Sequence, residues 1–391
     1  MWKKIPLDPR ELRLSAVLRS GQSFRWRYNE QSGTWSIGIR GRVLLLRQDS
    51  SALHYRAIEG PKAPSLDVEE FIKDYFNLRV KLADLYDAWS ASDKHFQSRS
   101  NALVGIRILR QDPWENLCCF ICSSNNNIKR ISQMAEKLCT HFGEFIASHD
   151  GYDYYDFPEP PKLANNSVAA KLRQLGFGYR AEYIERTACM INDLEDGLGE
   201  LSGLREKSYP EAQEFLIALH GVGPKVSDCV CLMSLDKHDC VPVDTHVWQI
   251  AQRDYSIGRR HKTLSRKAYL EVQDYFRKKW GDYAGWAHSV LFTGDLNLEE
   301  LAKVDHITLD GQGDIKVETV IEVKEGTDNK IETTEVKEDV AEDGVKTEIK
   351  TELVESIESV KSEPLDAAPE ARKRSNSNLK PRQSKRLAVA A

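Results

Sequence analysis

The sequence predicts an α+β protein with three parts: an N-terminal antiparallel β domain with helices (residues 1–110), an all-helical domain (111–300) and a disordered, charged tail (301–391). Three observations support this division. Apolar residues alternate with polar ones in the first 60 residues, and the apolar period becomes helical beyond residue 112. Beyond about residue 305 the chain is a low-complexity run of Lys, Glu, Thr and Val without aromatic residues, which cannot bury a core.

The β domain is predicted from period-two alternation. Apolar side chains alternate over residues 24–28, 35–39 and 43–46, and residues 53–55 supply a further edge strand. Gly33 lies in the first turn. From Ser65, a plausible cap, the spacing of apolar residues changes to that of a helix.

The second domain begins at Asp112-Pro113, a cap followed by proline at the first helical position. Further helices are expected at about 128–141, 167–175, 179–192, 209–219, 224–235, 245–253, 266–279 and 283–292. Residues 149–161 are rich in Tyr and Pro and are predicted to form a loop.

The charge is distributed unevenly. The chain carries −5, but residues 301–391 contain 15 Lys/Arg and 20 Asp/Glu, which leaves 40 of each for residues 1–300. The folded part is therefore neutral, and a neutral domain can bind nucleic acid when its cations gather on one face.

Targeting and redox features point to a soluble intracellular protein. Charged residues interrupt any apolar run near the N-terminus, and no stretch has the roughly 18 apolar residues that span a bilayer. All 8 Cys lie between Cys118 and Cys240. Cys118, Cys119 and Cys122 suggest a metal site, but no second ligand pair follows, so we expect buried thiols, no metal and no cofactor.

The most specific stretch is residues 219–225 (LHGVGPK), in which an apolar helix ends, a Gly-Val-Gly hairpin follows and Pro224 opens the next helix. The backbone N–H groups of Gly221 and Gly223, with the helix N-terminus, form an anion site of phosphate size. When the hairpin is taken alone, a tight helix–helix turn is the better explanation.

A second element follows about 19 residues after the hairpin. Asp244 caps the helix that begins at Thr245, where the helix dipole favours an ionised carboxylate. A hairpin that ends in Lys225 and is followed by a capping Asp resembles the helix-hairpin-helix superfamily of DNA glycosylases, in which the Lys marks members that also cleave the backbone.

Four more motifs narrow the resemblance to the eukaryotic 8-oxoguanine DNA glycosylases over about residues 1–298. They are residues 21–26 (GQSFRW), 121–128 (ICSSNNNI), 175–181 (LGFGYRA) and 283–287 (YAGWA). The resemblance implies that the N-terminal sheet is similar to half of the TATA-binding protein and packs on the helical domain. It also implies that the partner is damaged double-stranded DNA, from which 8-oxoguanine opposite cytosine is excised.

The resemblance assigns the catalytic roles to two residues. Lys225 attacks the anomeric carbon as a nucleophile, and the iminium then loses the 3′ phosphate by β-elimination. Asp244 stabilises the positive charge that develops on the sugar. The alternatives are a phosphate-contacting surface lysine for Lys225 and a purely structural cap for Asp244.

The resemblance also names the residues that bind the base. Oxidation turns N7 of guanine into a donor, which the carbonyl of Gly21 would accept, while Cys229 and Phe292 would sandwich the flipped base. A strand-end turn for Gly21 and core packing for Cys229 and Phe292 are the alternatives. Where the family commonly has Gln at the Watson–Crick edge, this chain has His288, so we expect base selection to change near the ordinary pKa of about 6.5.

The remaining carried-over residues contact DNA. Asn125, Arg130, Tyr179 and Arg180 would fill the vacated stack and hold the orphaned cytosine, and His246 would bind a phosphate.

Two rival functions were weighed. Endonuclease III and adenine glycosylases carry a four-Cys iron–sulfur loop after the catalytic Asp, but no Cys follows Cys240. A non-catalytic DNA-binding module would not need Lys225, Asp244 and Cys229 together.

The tail is predicted to act outside the chemistry. Residues 372–374 and 380–386 form two basic clusters similar to a bipartite nuclear import signal, with a non-specific DNA-binding arm as the alternative. Four segments, 315–318, 345–348, 349–352 and 360–363, resemble SUMO acceptor sites, although chance matches are common in such a composition. We expect a nuclear monomer whose tail contacts an import receptor and the SUMO machinery, with no membrane association.

Overall fold

The structure is a computed structural model that describes the backbone of residues 1–302, 306–309, 315–318, 332–339 and 346–353, and the side chains of residues 1–295. The chain divides into two compact units, Met1–Val320 and Ile321–Ala391. The predicted sheet and helical domain both lie in the first unit.

The N-terminal domain contains one five-stranded antiparallel sheet, as predicted. Its strands are β1 (Lys3–Pro6), β2 (Arg27–Asn29), β3 (Thr34–Ile39), β4 (Arg42–Gln48) and β5 (Ala52–Glu59), in the spatial order β1-β5-β4-β3-β2. Trp35 pairs with Leu46 and Ile37 with Leu44. The strand expected at residues 24–28 is shorter, because residues 24–26 leave the sheet and turn toward the helical domain.

Both faces of the sheet are buried. Leu44 and Leu46 face a core that includes Ile72, whereas Val43 and Leu45 pack with Ile146. This second face is covered by a hairpin of β6 (Phe145–His149) and β7 (Tyr152–Tyr155). The prediction of a loop at residues 149–161 was therefore wrong, because these tyrosines pair in a hairpin that closes the sheet.

Two helices, α1 (Leu14–Arg19) and α2 (Val68–Tyr75), pack on the sheet, whereas α3 (Leu82–Ser92) and α4 (Lys94–Ser100) pack in the core of the helical domain. The predicted helix is α2, but its cap is Asp67, whose carboxylate accepts the N–H bonds of Glu69 and Glu70, and not Ser65.

The second domain is helical, as predicted. Its helices are α5 (Pro113–Ile121), α6 (Ile128–Phe142), α7 (Pro160–Leu163), α8 (Val168–Gln174), α9 (Arg180–Asn192), α10 (Leu198–Gly203), α11 (Tyr209–Ala218), α12 (Pro224–Ser234), α13 (Thr245–Asp254), α14 (Arg266–Trp280) and α15 (Ala284–Ala302). Asp112 caps α5 through the N–H groups of Trp114 and Glu115. The domain core lies between α5, α9, α12 and the helices that follow.

Buried polar contacts fix the sheet domain against the helical domain. The Arg25 guanidinium forms an ion pair with Glu115 at 2.7 Å, and the Gln111 side chain donates to the carbonyl of Gln22 at 3.0 Å. The N–H of Gln111 also donates to the carbonyl of Met233 on α12 at 2.9 Å. These contacts hold the loop after α1 close to α5 and to the C-terminal end of α12.

Four strands are described beyond α15: β8 (His306–Leu309) pairs with β9 (Ile315–Glu318), and β10 (Glu332–Asp339) pairs with β11 (Lys346–Leu353). The two basic clusters and most of the segment predicted to be disordered lie outside the described residues. None of the described helices is long and apolar enough to cross a membrane.

Candidate active site

One cavity of about 60 Å³ brings together the six residues that the sequence marks for catalysis or base binding. They are Gly21, Lys225, Cys229, Asp244, His288 and Phe292. They come from the loop after α1, from α12, from the cap of α13 and from α15, so the tertiary fold alone makes them neighbours.

Lys225 is the second residue of α12, directly after Pro224, and is half-buried. Its Nζ lies 4.8 Å from the centroid of the Phe120 ring. Burial raises the pKa of the Cys229 thiol, one turn later, to about 11, while Lys225 lowers it and Asp244 raises it. Lys225 and Asp244 thus both lie close enough to act on Cys229, and the Cys229 thiol is protonated at neutral pH.

Asp244 is the cap of α13, as predicted. Its Oδ1 accepts the N–H bonds of His246 and Val247, each at 3.0 Å. In the part of the chain that the structure describes, no hydrogen-bond donor reaches Oδ2. One oxygen thus completes the helix, and the other remains available to a ligand in the cavity.

Gly21 has a φ of +77°, a value that favours glycine. The next residue, Gln22, is buried and anchors the loop, because its Nε2 donates to the carbonyl of Arg107 at 2.9 Å and its Oε1 accepts the N–H of Leu109 at 3.0 Å. The backbone at Gly21 is therefore held rigidly at the edge of the cavity.

His288 is only 7% exposed, and within the described residues neither ring nitrogen has a hydrogen-bond partner. Burial lowers the pKa of the imidazole to about 4. The expectation that His288 titrates near pH 6.5 was therefore wrong, because the site is dry enough to keep the ring neutral. An unpaired donor and acceptor are left at the cavity wall, where a polar ligand edge would satisfy them.

Four predicted DNA contacts meet at two neighbouring loops. Asn125 has a φ of +47° in the α5–α6 loop, and the Arg180 guanidinium donates to its carbonyl at 3.2 Å and to that of Ser124. The Tyr179 hydroxyl also donates to Ser124, at 3.1 Å, and Arg130 donates to the carbonyl of Gly176 at 3.3 Å. Tyr179 is exposed, whereas Arg180 is buried and shapes the loop.

The Gly-Val-Gly hairpin borders a surface concavity with Tyr179, Tyr183 and Ser124. Gly221 has a φ of +79°, and a Cβ there would lie 2.4 Å from the Tyr183 ring. The ring of Tyr183 also meets that of Tyr179 edge-on at 5.5 Å. His246 is exposed beside the cavity, with its ring 6.2 Å from that of Phe292.

Several residues of the cavity were not predicted. Phe120, Met233, Ser289 and Thr293 line it. His288 and Phe292 are four residues apart on α15, and Ser289 and Thr293 each come one residue later. This helical spacing places all four on one face of α15 and was the sequence signal that could have identified Ser289 and Thr293. Cys118, Cys119 and Cys122 are buried thiols, and among the described residues no group of three or more His, Cys, Asp or Glu could hold a metal.

Comparison with known proteins agrees with this geometry. Residues 4–117 match the family of 8-oxoguanine DNA glycosylase N-terminal domains, and residues 118–280 match the HhH-GPD superfamily of base excision DNA repair proteins. An N-glycosylase/DNA lyase of Saccharomyces cerevisiae is 42% identical over 75% of this chain and 86% of that protein. The N-glycosylase/DNA lyase OGG1 of Arabidopsis thaliana is 38% identical over 75% of this chain and 80% of that protein.

A solved structure has the same fold. The Clostridium acetobutylicum 8-oxoguanine glycosylase/lyase, in complex with double-stranded DNA containing cytosine opposite 8-oxoguanine, superimposes with a TM-score of 0.60 at 27% identity over 73% of this chain and 93% of that chain. The chain therefore belongs to the eukaryotic 8-oxoguanine DNA glycosylases, which are N-glycosylase/DNA lyases of base excision repair.

Proposed function

We propose that this enzyme flips 8-oxoguanine paired with cytosine out of duplex DNA, excises it through an imine on Lys225, and then cleaves the strand by β-elimination. The observation that carries the proposal is the convergence of a lysine, a carboxylate and a neutral imidazole on one cavity. DNA is the partner of this family. The choice of 8-oxoguanine as the substrate base of this enzyme is inferred from the residues around the cavity.

The amine of Lys225 bonds to the anomeric carbon while the glycosidic bond breaks, and the base leaves with the bonding electrons and takes a proton from the newly bonded nitrogen. The nitrogen lone pair then opens the sugar ring to an iminium while O4′ takes a proton from water. The hydroxide so formed takes the C2′ proton as the 3′ phosphate departs. Water finally hydrolyses the iminium and restores the amine. Asp244 stabilises the cationic sugar through its uncommitted Oδ2.

Recognition of the lesion follows from hydrogen-bond complementarity. The carbonyl of Gly21 accepts the N7–H that only the oxidised base carries, and normal guanine would place an acceptor against it. His288 offers one donor and one acceptor to the Watson–Crick edge. Cys229 and Phe292 form the two faces of the base site.

The surface around the cavity would hold the distorted duplex. Tyr179 and Asn125 fill the vacated stack and Arg130 contacts the orphaned cytosine, and each of these interactions offsets part of the cost of unstacking. Arg180, which is buried, would act there by holding the loop that carries Asn125. The amides of Gly221 and Gly223 and the exposed His246 bind phosphates on the lesion strand.

Borohydride trapping on a duplex containing 8-oxoguanine tests the chemistry. Only an amine nucleophile yields a covalent adduct, so Lys225→Gln should abolish trapping and leave binding intact. Lys94→Gln, an exposed lysine on α4 outside the cavity, is the matched control and should be trapped like the wild type. Asp244→Asn keeps an adequate cap, so its excision rate should fall about 10²-fold or more with little loss of stability. Trapping that persists in Lys225→Gln contradicts the proposal.

We further propose that the enzyme acts as a monomer in the nucleus, with import through the basic clusters at residues 372–374 and 380–386 and SUMO attachment at one or more of Lys316, Lys346, Lys350 and Lys361. The clusters are the support for import, and the apolar-Lys-X-Glu pattern is the support for modification.

A further inference from the structure

We propose that Asp228, a fully buried carboxylate on α12, is a positioning residue that sets the distance between Lys225 and Asp244. The inference rests on the proposed function, because it assumes that these two residues act on one sugar. Asp228 does not line the cavity, and its solvent exposure is 0%.

Four side chains donate hydrogen bonds to the carboxylate of Asp228. Its Oδ1 accepts from the Tyr209 hydroxyl at 2.8 Å and from Gln213 Nε2 at 2.7 Å. Its Oδ2 accepts from Gln273 Nε2 at 2.7 Å and from the Tyr269 hydroxyl. A carboxylate has about four acceptor sites, so both oxygens are fully used and the group has one fixed orientation.

The two pairs of donors come from different helices. Tyr209 and Gln213 are four residues apart on one face of α11, and Tyr269 and Gln273 are four residues apart on one face of α14. The carboxylate therefore connects three helices at one point.

Only the α14 pair continues toward Asp244. Gln273 Nε2 also donates to the carbonyl of Val241 at 2.9 Å, and the N–H of Val243 donates to the Tyr269 hydroxyl at 3.4 Å. Val243 immediately precedes Asp244, so the same two side chains hold the segment that ends in the catalytic carboxylate.

On the other side, Asp228 is rigidly coupled to the nucleophile. Lys225 lies three residues earlier, one turn away on the same helix. A shift of Asp228 along or around the axis of α12 would move Lys225 by a similar amount. The chain of contacts therefore runs from Lys225 through Asp228 and the α14 pair to the backbone before Asp244.

Stability alone does not explain this arrangement. No ion pair among the described residues includes Asp228, and well-packed apolar side chains in place of the carboxylate and its four donors would avoid the cost of burying a charge. Burial raises the pKa of Asp228, and burial together with Asp228 raises that of the Tyr269 phenol, which remains a donor. A network of this kind is expected where reacting groups must be placed to within a fraction of an ångström.

Two matched variants test the proposal. Tyr269→Phe and Tyr209→Phe each remove one hydroxyl from the carboxylate, but only Tyr269→Phe also loses the contact with Val243. Single-turnover excision should slow about 10- to 100-fold in Tyr269→Phe and by less than about 3-fold in Tyr209→Phe, because small misplacements of reacting groups have effects of that size. Affinity for a duplex with an uncleavable tetrahydrofuran abasic site should stay within about 3-fold of wild type in both.

A second pair, Gln273→Met and Gln213→Met, repeats the comparison if a tyrosine variant does not fold. Equal slowing in both members of a pair, wild-type rates in both, or loss of affinity in parallel with rate would overturn the proposal. Wild-type protein and Lys225→Gln are trapped with borohydride in the same series. Failure to trap the wild type would refute the imine chemistry instead, so the two failures are distinguishable.

Discussion

Replacement of His288 by Gln should change how stability depends on pH. The ring is 7% exposed, and burial lowers its pKa to about 4, against an ordinary value of about 6.5. Between these pH values the unfolded chain binds a proton that the folded chain excludes, so the free energy of unfolding falls as the pH falls. From these two pKa values, the titration of His288 alone lowers the free energy of unfolding by about 2 kcal/mol between pH 8 and pH 5.

Urea denaturation of wild type and His288→Gln at pH 8 and pH 5 measures this difference. The variant lacks the titrating group, so its free energy of unfolding should fall by about 2 kcal/mol less than that of wild type between pH 8 and pH 5. His141→Gln, an exposed histidine on α6, is the control and should behave as wild type. An equal loss in wild type and His288→Gln would refute the assignment of a buried, neutral ring. The neutral ring also predicts that selectivity for 8-oxoguanine over guanine is constant from pH 8 to about pH 5.5.

Two further predictions concern the hairpin and the tail. Gly221→Ala should lower the free energy of unfolding by about 1–3 kcal/mol, because the φ of Gly221 is +79° and the new Cβ would meet Tyr183. Gly223→Ala should change the free energy of unfolding by less than about 1 kcal/mol, because a Cβ there has open space. Urea denaturation of both variants measures the difference. Truncation after residue 305 should leave single-turnover excision near wild type, because no predicted site residue follows Phe292, but should remove the protein from the nucleus when it is imaged in cells. A folded, inactive truncation would contradict that division of labour.

The fold was predictable where a local signal matches a local structure. Asp112-Pro113 begins α5, and the alternation at residues 35–39 and 43–46 became β3 and β4. The hairpin of β6 and β7 was missed because the prolines that follow it, at positions 158, 160 and 161, favour a loop, and its strands are stabilised by packing on the apolar second face of the sheet. The short helices α3 and α4 were missed for a related reason, since α4 is held by the Asp93 cap and by burial of Phe96 and lacks a sustained period.

The site was predictable to the extent that its residues lie in contiguous motifs. Lys225 and Asp244 each adjoin a helix start that the sequence marks clearly, and both line the cavity. Asp228 carries no such mark, because its partners lie 15 to 45 residues away and their relation exists only after α11 and α14 pack on α12. The state of His288 was also beyond the sequence, because its pKa depends on burial by residues from other elements.

In the proposed recognition of the lesion, rejection of normal guanine would depend on the rigidity of the loop at Gly21 more than on the number of contacts. If the carbonyl of Gly21 were free to rotate, it would turn away from N7 of guanine at little cost, and the penalty for the wrong base would vanish. The Gln22 side chain prevents this, because it is buried and bonded to the backbone of both Arg107 and Leu109, while its own carbonyl accepts from Gln111. Gln111 in turn is bonded to Met233 on α12, the helix that carries Lys225. The contacts that fix the loop at Gly21 are thus continuous with α12, the helix that carries Lys225, so under the proposed function a base that is read correctly would also be placed for attack.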